Sequence, residues 1–176
     1  MKKNILIFGL IAGLIASWML IAMTVTCYNS GKIEGNMLLG YTFMVVAFAF
    51  VFVGVKNYRD KFNHGIISLG KAFKIGLLMT VIASTFYVVV WLICYYLFIP
   101  DFMERFTALT INELKANTVD PVKLKEKMEG IEFYARMYKS PFGIILLTYM
   151  EILPVGLIIS LITALILKKK DKVVLA

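Results

Sequence analysis

Four long apolar runs, at 5–27, 38–55, 72–99 and 142–167, take up more than half of the chain. About 20 apolar residues in a helix are enough to cross the hydrocarbon core of a bilayer. In hydrocarbon the backbone must satisfy its own hydrogen bonds, and a helix does so within one segment. The runs therefore predict an all-α polytopic membrane protein with four transmembrane helices, forming one membrane domain over residues 1–176. Composition agrees. The chain is 60% hydrophobic with a mean hydropathy of +0.82, where a soluble domain is nearer half apolar.

A net charge of +8 would suit a nucleic-acid binder, but the positions of the charges exclude that partner. They cluster in short segments beside the apolar runs, as membrane topology requires. The expected partner is the lipid bilayer. One His and two Cys exclude the usual multi-ligand zinc spacings, so no metal and no cofactor is expected.

The run at 142–167 carries two defects. Glu151 is an ionisable group in hydrocarbon, at a cost on the order of 3 kcal/mol. Pro154 has no N–H, so the carbonyl of Met150 loses its partner one turn back. Both argue that this side of the helix meets protein or water. Gly156, Ser160 and Ala164 repeat every four residues, a spacing that lets helices approach closely. At about 100° per residue, Glu151 and Gly156 point some 140° apart. Two non-lipid faces imply two neighbours, and this helix reads as the inner member of the bundle.

The first run follows Lys2 and Lys3, as a signal peptide would. It is longer than a signal core and lacks a small-x-small cleavage site, and Thr24-Val25-Thr26 before Cys27 is a poor lipoprotein site. It is read as a retained span. Gly9, Gly13 and Ser17 form its close-packing face. The second run is aromatic, with Phe43, Phe48, Phe50 and Phe52, and is expected to face lipid over much of its surface. A basic loop is expected at 56–74, with a turn at Asn63-His64-Gly65 and a helix cap at Ser68. His64 reads as a turn residue, since no acidic or Cys partner lies near it in sequence.

Thr80, Ser84, Tyr87, Trp91 and Tyr95 line one face of the third run. Ordinary interhelical hydrogen bonding accounts for such a stripe. A sharper reading has it meet Glu151. Depth along the spans makes Thr148, Tyr87 and Thr42 the candidate companions of that acid, with Trp18 at a similar level.

Residues 100–141 form the one sizeable polar segment. It reads as an amphipathic helical hairpin between the third and fourth spans. Phe102, Phe106 and Leu109 mark its first helix. Asp120-Pro121, a cap followed by a first-turn proline, opens the second. That helix shows Leu124, Met128, Ile131, Tyr134 and Tyr138 at heptad-like spacing. Seven basic residues in the segment are matched by seven acidic ones. A hairpin lying on the membrane or on itself, and a docking surface for a homo-oligomer or another membrane protein, are both compatible with this pattern.

Four spans put both termini on one side. That side holds eleven Lys and Arg, against eight on the other, where acids cancel them. The asymmetry in short loops places the termini in the cytoplasm and the hairpin outside, with the bacterial inner membrane as location. Cys27 and Cys94 both fall toward the outer ends of their helices, so a disulfide between them is open.

Several segments in this order resemble a known family. They are Asn57-Tyr58-Arg59-Asp60-Lys61, Gly70-Lys71-Ala72-Phe73-Lys74-Ile75-Gly76-Leu77-Leu78, Tyr95-Tyr96-Leu97-Phe98-Ile99-Pro100-Asp101-Phe102 and Glu151-Ile152-Leu153-Pro154-Val155-Gly156-Leu157-Ile158. Together they resemble the bacterial domain of unknown function 4199. The resemblance implies a small four-helix membrane protein, found mostly in Gram-negative bacteria. It brings no assigned activity and no catalytic residues.

No Gly-x-Ser-x-Gly, His-Glu-x-x-His or phosphate loop occurs, so an enzyme is not expected and no catalytic residue is named. The leading expectation is a non-enzymatic membrane protein acting through assembly or partner binding. The alternative is a small transporter or ion-coupled protein that uses Glu151. No inverted repeat supports the latter.

Overall fold

The computed structural model describes residues 1–30, 37–117 and 120–169, without the side chains of 27–30, 37–39, 113 and 117. The described chain is helical throughout: α1 Lys2–Ser30, α2 Met37–Phe62, α3 Leu69–Leu97, α4 Phe102–Asn117, α5 Pro121–Met137 and α6 Pro141–Leu167. Four of these, α1, α2, α3 and α6, are long and apolar enough to cross a membrane. The helical hairpin expected at 100–141 is α4 and α5. Residues 31–36, between α1 and α2, lie outside the described residues.

The caps form where side-chain chemistry predicts them. Ser68 accepts from the Lys71 amide at the start of α3, and Asp120 accepts from the Val122 amide ahead of Pro121. His64 and Gly65 turn the chain after α2, both at positive φ. The basic loop is much shorter than 56–74, however. Helix α2 continues to Phe62 and α3 begins at Leu69, so Lys56, Arg59, Lys61, Lys71 and Lys74 lie on helices. The reason is that these polar last turns still pack. Tyr58 is buried, Lys71 lies over its ring at 5.3 Å, and Arg59 donates to the Leu167 carbonyl at 3.4 Å.

The four long helices pack in the cyclic order α1, α2, α6, α3, with α2 and α3 also meeting across the middle. The expectation that α6 is the inner member is therefore corrected. It occupies a corner, with α2 and α3 as its two long neighbours, and Ile158 on its outer side is 60% exposed. Two non-lipid faces suit a corner position as well as a central one. On helix α2, Met44, Ala47, Phe48, Val51, Val55 and Tyr58 form a continuous buried stripe at helical spacing. The rest of its surface is open, with Tyr41, Val45, Val46 and Val53 exposed, in line with the expectation that much of this helix faces away from the bundle.

Close approach sets the seams. Gly9 lies against Ile82 and the Met79 carbonyl, and Gly13 against Phe86 and Ala83, so this face of α1 is spent on α3. Ser17 is buried on the same helix. On α6, a Cβ at Gly156 would collide with Thr80 and the Phe48 ring. The Thr80 hydroxyl donates to the Gly156 carbonyl at 3.2 Å and lies 2.9 Å from the Ser160 hydroxyl. Ala164 continues that buried line.

The two ends of the molecule differ. At the end holding both termini, Ile67 and Lys169 exchange two backbone hydrogen bonds of 3.0 and 2.9 Å, which ties the end of α6 to the α2–α3 turn. Asn4 donates to the Gly54 carbonyl at 2.9 Å and accepts from Asn57 at 2.7 Å, which ties α1 to α2. The half toward that end is packed solid by one apolar core. The half toward α4 and α5 is not.

Candidate functional site

The hairpin is held over its end of the molecule by the joint between α5 and α6. Ser140 caps α6, accepting from the Gly143 amide at 3.0 Å, and Pro141 opens the first turn. A Cβ at Gly143 would collide with the Met137 carbonyl, so only glycine permits this tight junction. The junction turns α5 back across the long helices. There the Trp91 indole N–H donates to the Tyr138 hydroxyl at 3.3 Å. The Tyr95 ring packs 5.5 Å from that of Tyr138, and Phe102 meets Trp91 edge-on at 5.3 Å. Ile99, Met103 and Ile144 complete this second apolar cluster. Burial pushes the Tyr138 phenol up to about 12, the Trp91 hydrogen bond opposes that rise, and the Glu151 charge adds to it.

Beneath the hairpin lies a cavity of about 1260 Å³. All six helices contribute to its wall. The apolar lining includes Leu20, Met23, Met103, Leu109, Ile131 and Leu147. Aromatic rings come from Tyr41, Tyr87, Trp91, Phe102, Phe106 and Tyr138. Three charged side chains reach it: Glu151 from α6, Arg105 from α4 and Lys127 from α5. Arg105 is ion-paired with Asp101 at 2.6 Å. Glu151 has no ion pair or hydrogen bond with any of the described residues. Its side chain is accessible because it stands on the cavity wall. Met150, whose carbonyl Pro154 deprives of a partner, lines the same cavity.

The structure brings three of the four polar residues singled out in the sequence to one place. Glu151, Thr148 and Tyr87 all line the cavity. The Thr148 hydroxyl donates to the Ile144 carbonyl at 2.7 Å. Thr42 is not among them. Its side chain is exposed away from the cavity, and Gly40 and Tyr41 supply the wall from α2. Trp18 is also turned outward, 74% exposed. Both were placed by depth along a span, which carries no information about the direction around the helix axis.

The α3 stripe is one buried face, from Thr80 through Ser84, Tyr87 and Trp91 to Tyr95. It divides by function along its length. Thr80 serves the seam with α6, while Tyr87 and Trp91 line the cavity. The Ser84 hydroxyl makes no hydrogen bond to the described residues. Cys94 is a free thiol, and the side chain of Cys27 lies outside the described residues.

Sequence reasoning missed Arg105, Gly130, Tyr138 and Tyr41 as wall residues. The signal for the hairpin was present in its apolar faces, since Phe102, Phe106 and Leu109 on α4 and Ile131, Tyr134 and Tyr138 on α5 all turn to the cavity. What those faces would cover was not visible in their spacing. Among the described residues no cluster of three or more His, Cys, Asp or Glu could hold a metal ion.

These features define a class: an all-helical protein with four helices fit to cross a membrane and a helical cap over one end. A family model described as protein of unknown function (DUF4199) matches residues 7–169, nearly the whole chain, and the chain belongs to that family. No curated protein and no solved structure matches it.

Proposed function

We propose that this is a bacterial inner-membrane protein, a four-helix bundle with cytoplasmic termini, that works without catalysis. Its task is to hold an amphipathic organic molecule beneath an outward-facing hairpin. The cavity carries this reading. Ligand sites are concave and mostly apolar, with a few convergent polar groups and a volume of several hundred to about 1000 Å³. This wall has that character: an apolar and aromatic lining with Glu151, Thr148 and the Tyr87 hydroxyl on one side. The excess of Lys and Arg at the end holding the termini supports the orientation.

The hairpin also suits partner binding or self-assembly. Val122 and Phe133 on α5 are 76% and 49% exposed. An ion-coupled variant is favoured by the position of Glu151 on the cavity wall. The solid core toward the termini opposes a continuous path in this conformation.

The two tryptophans provide the test. Trp91 lines the cavity and Trp18 faces outward. In nanodiscs, a brominated amphiphile should quench Trp91 saturably in the Trp18→Phe protein. It should quench Trp18 only in proportion to bulk partitioning in the Trp91→Phe protein. Equal, non-saturating quenching of both would overturn the reading.

A further inference from the structure

We infer that the molecule held under the hairpin is a lipophilic cation: a hydrophobic amine or a quaternary onium whose charge rests against Glu151. This deepens the cavity reading above and depends on it. The argument starts from charge. A carboxylate within a span is costly unless it is paired. Glu151 has no basic side chain within ion-pair distance among the described residues. The two bases of the wall stand on the hairpin, where Arg105 is held by Asp101 at 2.6 Å and Lys127 lies exposed in the middle of α5. An anionic amphiphile reaching the interior would face Glu151 with like charge. A cation meets the one acidic side chain of the wall, which has no ion pair among the described residues.

The aromatic wall points the same way. Tyr87, Trp91, Phe102, Phe106 and Tyr138 surround the space that Glu151 borders. A cation over such ring faces is attracted by their quadrupoles, more strongly when water is excluded. Quaternary ammonium groups are recognised in this way, by rings with a nearby acid. The apolar residues of α1 and α4, Leu20, Met23 and Leu109, would then enclose the organic body of the ligand. Gly130 leaves room on the hairpin side, since a Cβ there meets no atom within 4 Å.

The experiment uses the Trp18→Phe protein in phosphatidylcholine nanodiscs, with Trp91 as the reporter. It is titrated with three probes of similar shape: tetraphenylphosphonium, neutral triphenylphosphine oxide and tetraphenylborate. The expected result is a saturable Trp91 response to the phosphonium at least tenfold tighter than to the other two. Glu151→Gln should remove that preference while leaving the neutral probe unchanged. Gly130→Phe should weaken all three by filling space. Equal affinity for the three probes, or phosphonium binding unchanged in Glu151→Gln, overturns the cation assignment and leaves the cavity reading intact. The comparison of probes needs no variant at position 151, so a failure of Glu151→Gln to fold does not protect the inference. A Trp91 signal silent to every probe overturns both.

Discussion

Gly156→Ala is the sharpest single perturbation of the packing that builds the site. The added Cβ would overlap Cγ2 of Thr80 and stand 2.8 Å from two atoms of the Phe48 ring. Both obstacles sit in the solid core, so neither helix can give way without losing other contacts. Overpacking of this kind costs about 1–3 kcal/mol. Separation of α3 from α6 also stretches the bond from Thr80 to the Gly156 carbonyl, and such interhelical bonds average about 0.6 kcal/mol in membranes. The expected loss is about 2–4 kcal/mol, measured by denaturant unfolding in bicelles. Gly70→Ala is the control, since a Cβ there meets nothing within 4 Å. It should stay within about 0.5 kcal/mol of the parent. Thr80→Ser removes the methyl that collides and keeps the hydroxyl, so the double variant should recover about 1 kcal/mol relative to additivity. Tyr87 lies about two turns along α3 from Thr80, so a spread seam should also weaken ligand responses at Trp91. If Gly156→Ala is as stable as Gly70→Ala, or shows no coupling to Thr80→Ser, the close-packed seam described above is wrong.

Other outcomes follow from the same packing. Asn4→Ala removes the group that joins the Gly54 carbonyl to the Asn57 amide, and should cost about 1–3 kcal/mol in the same unfolding assay. Tyr138→Phe deletes the acceptor of the Trp91 indole N–H; it should cost about 1 kcal/mol and shift Trp91 emission. The raised phenol pKa of Tyr138 fixes a sign. Between the ordinary value of 10.0 and about 12 the folded protein keeps a proton that the unfolded chain has lost. Stability should therefore fall as pH rises through that window, and Tyr138→Phe should flatten the slope.

Hydropathy was enough to find the four long helices, because a segment in hydrocarbon has little choice but to be helical. The caps at Ser68 and Asp120 and the turn at His64-Gly65 were equally legible, because each follows from one side chain's local chemistry. The end of α2 was not. Lys56, Arg59, Asp60 and Lys61 look like loop residues, yet a helix that passes from lipid to water can stay helical while turning polar. Azimuth was the larger difficulty. Thr42 and Trp18 share the depth of Glu151 and miss the cavity, whereas Tyr87 and Thr148 reach it. The cavity itself depends on how α4 and α5 fold back at Gly143, a long-range arrangement that no local period encodes.

The central claim is that Glu151 borders the cavity beneath α4 and α5 and not the lipid. A thiol placed by Glu151→Cys, in a protein otherwise freed of Cys27 and Cys94, tests it directly against one placed by Ile158→Cys on the exposed side of α6. A small cationic methanethiosulfonate added from outside intact cells should label the first, more slowly when Gly130→Phe narrows the cavity, and should leave the second untouched. Failure to label the thiol at 151, or labelling of both thiols alike, would contradict the account.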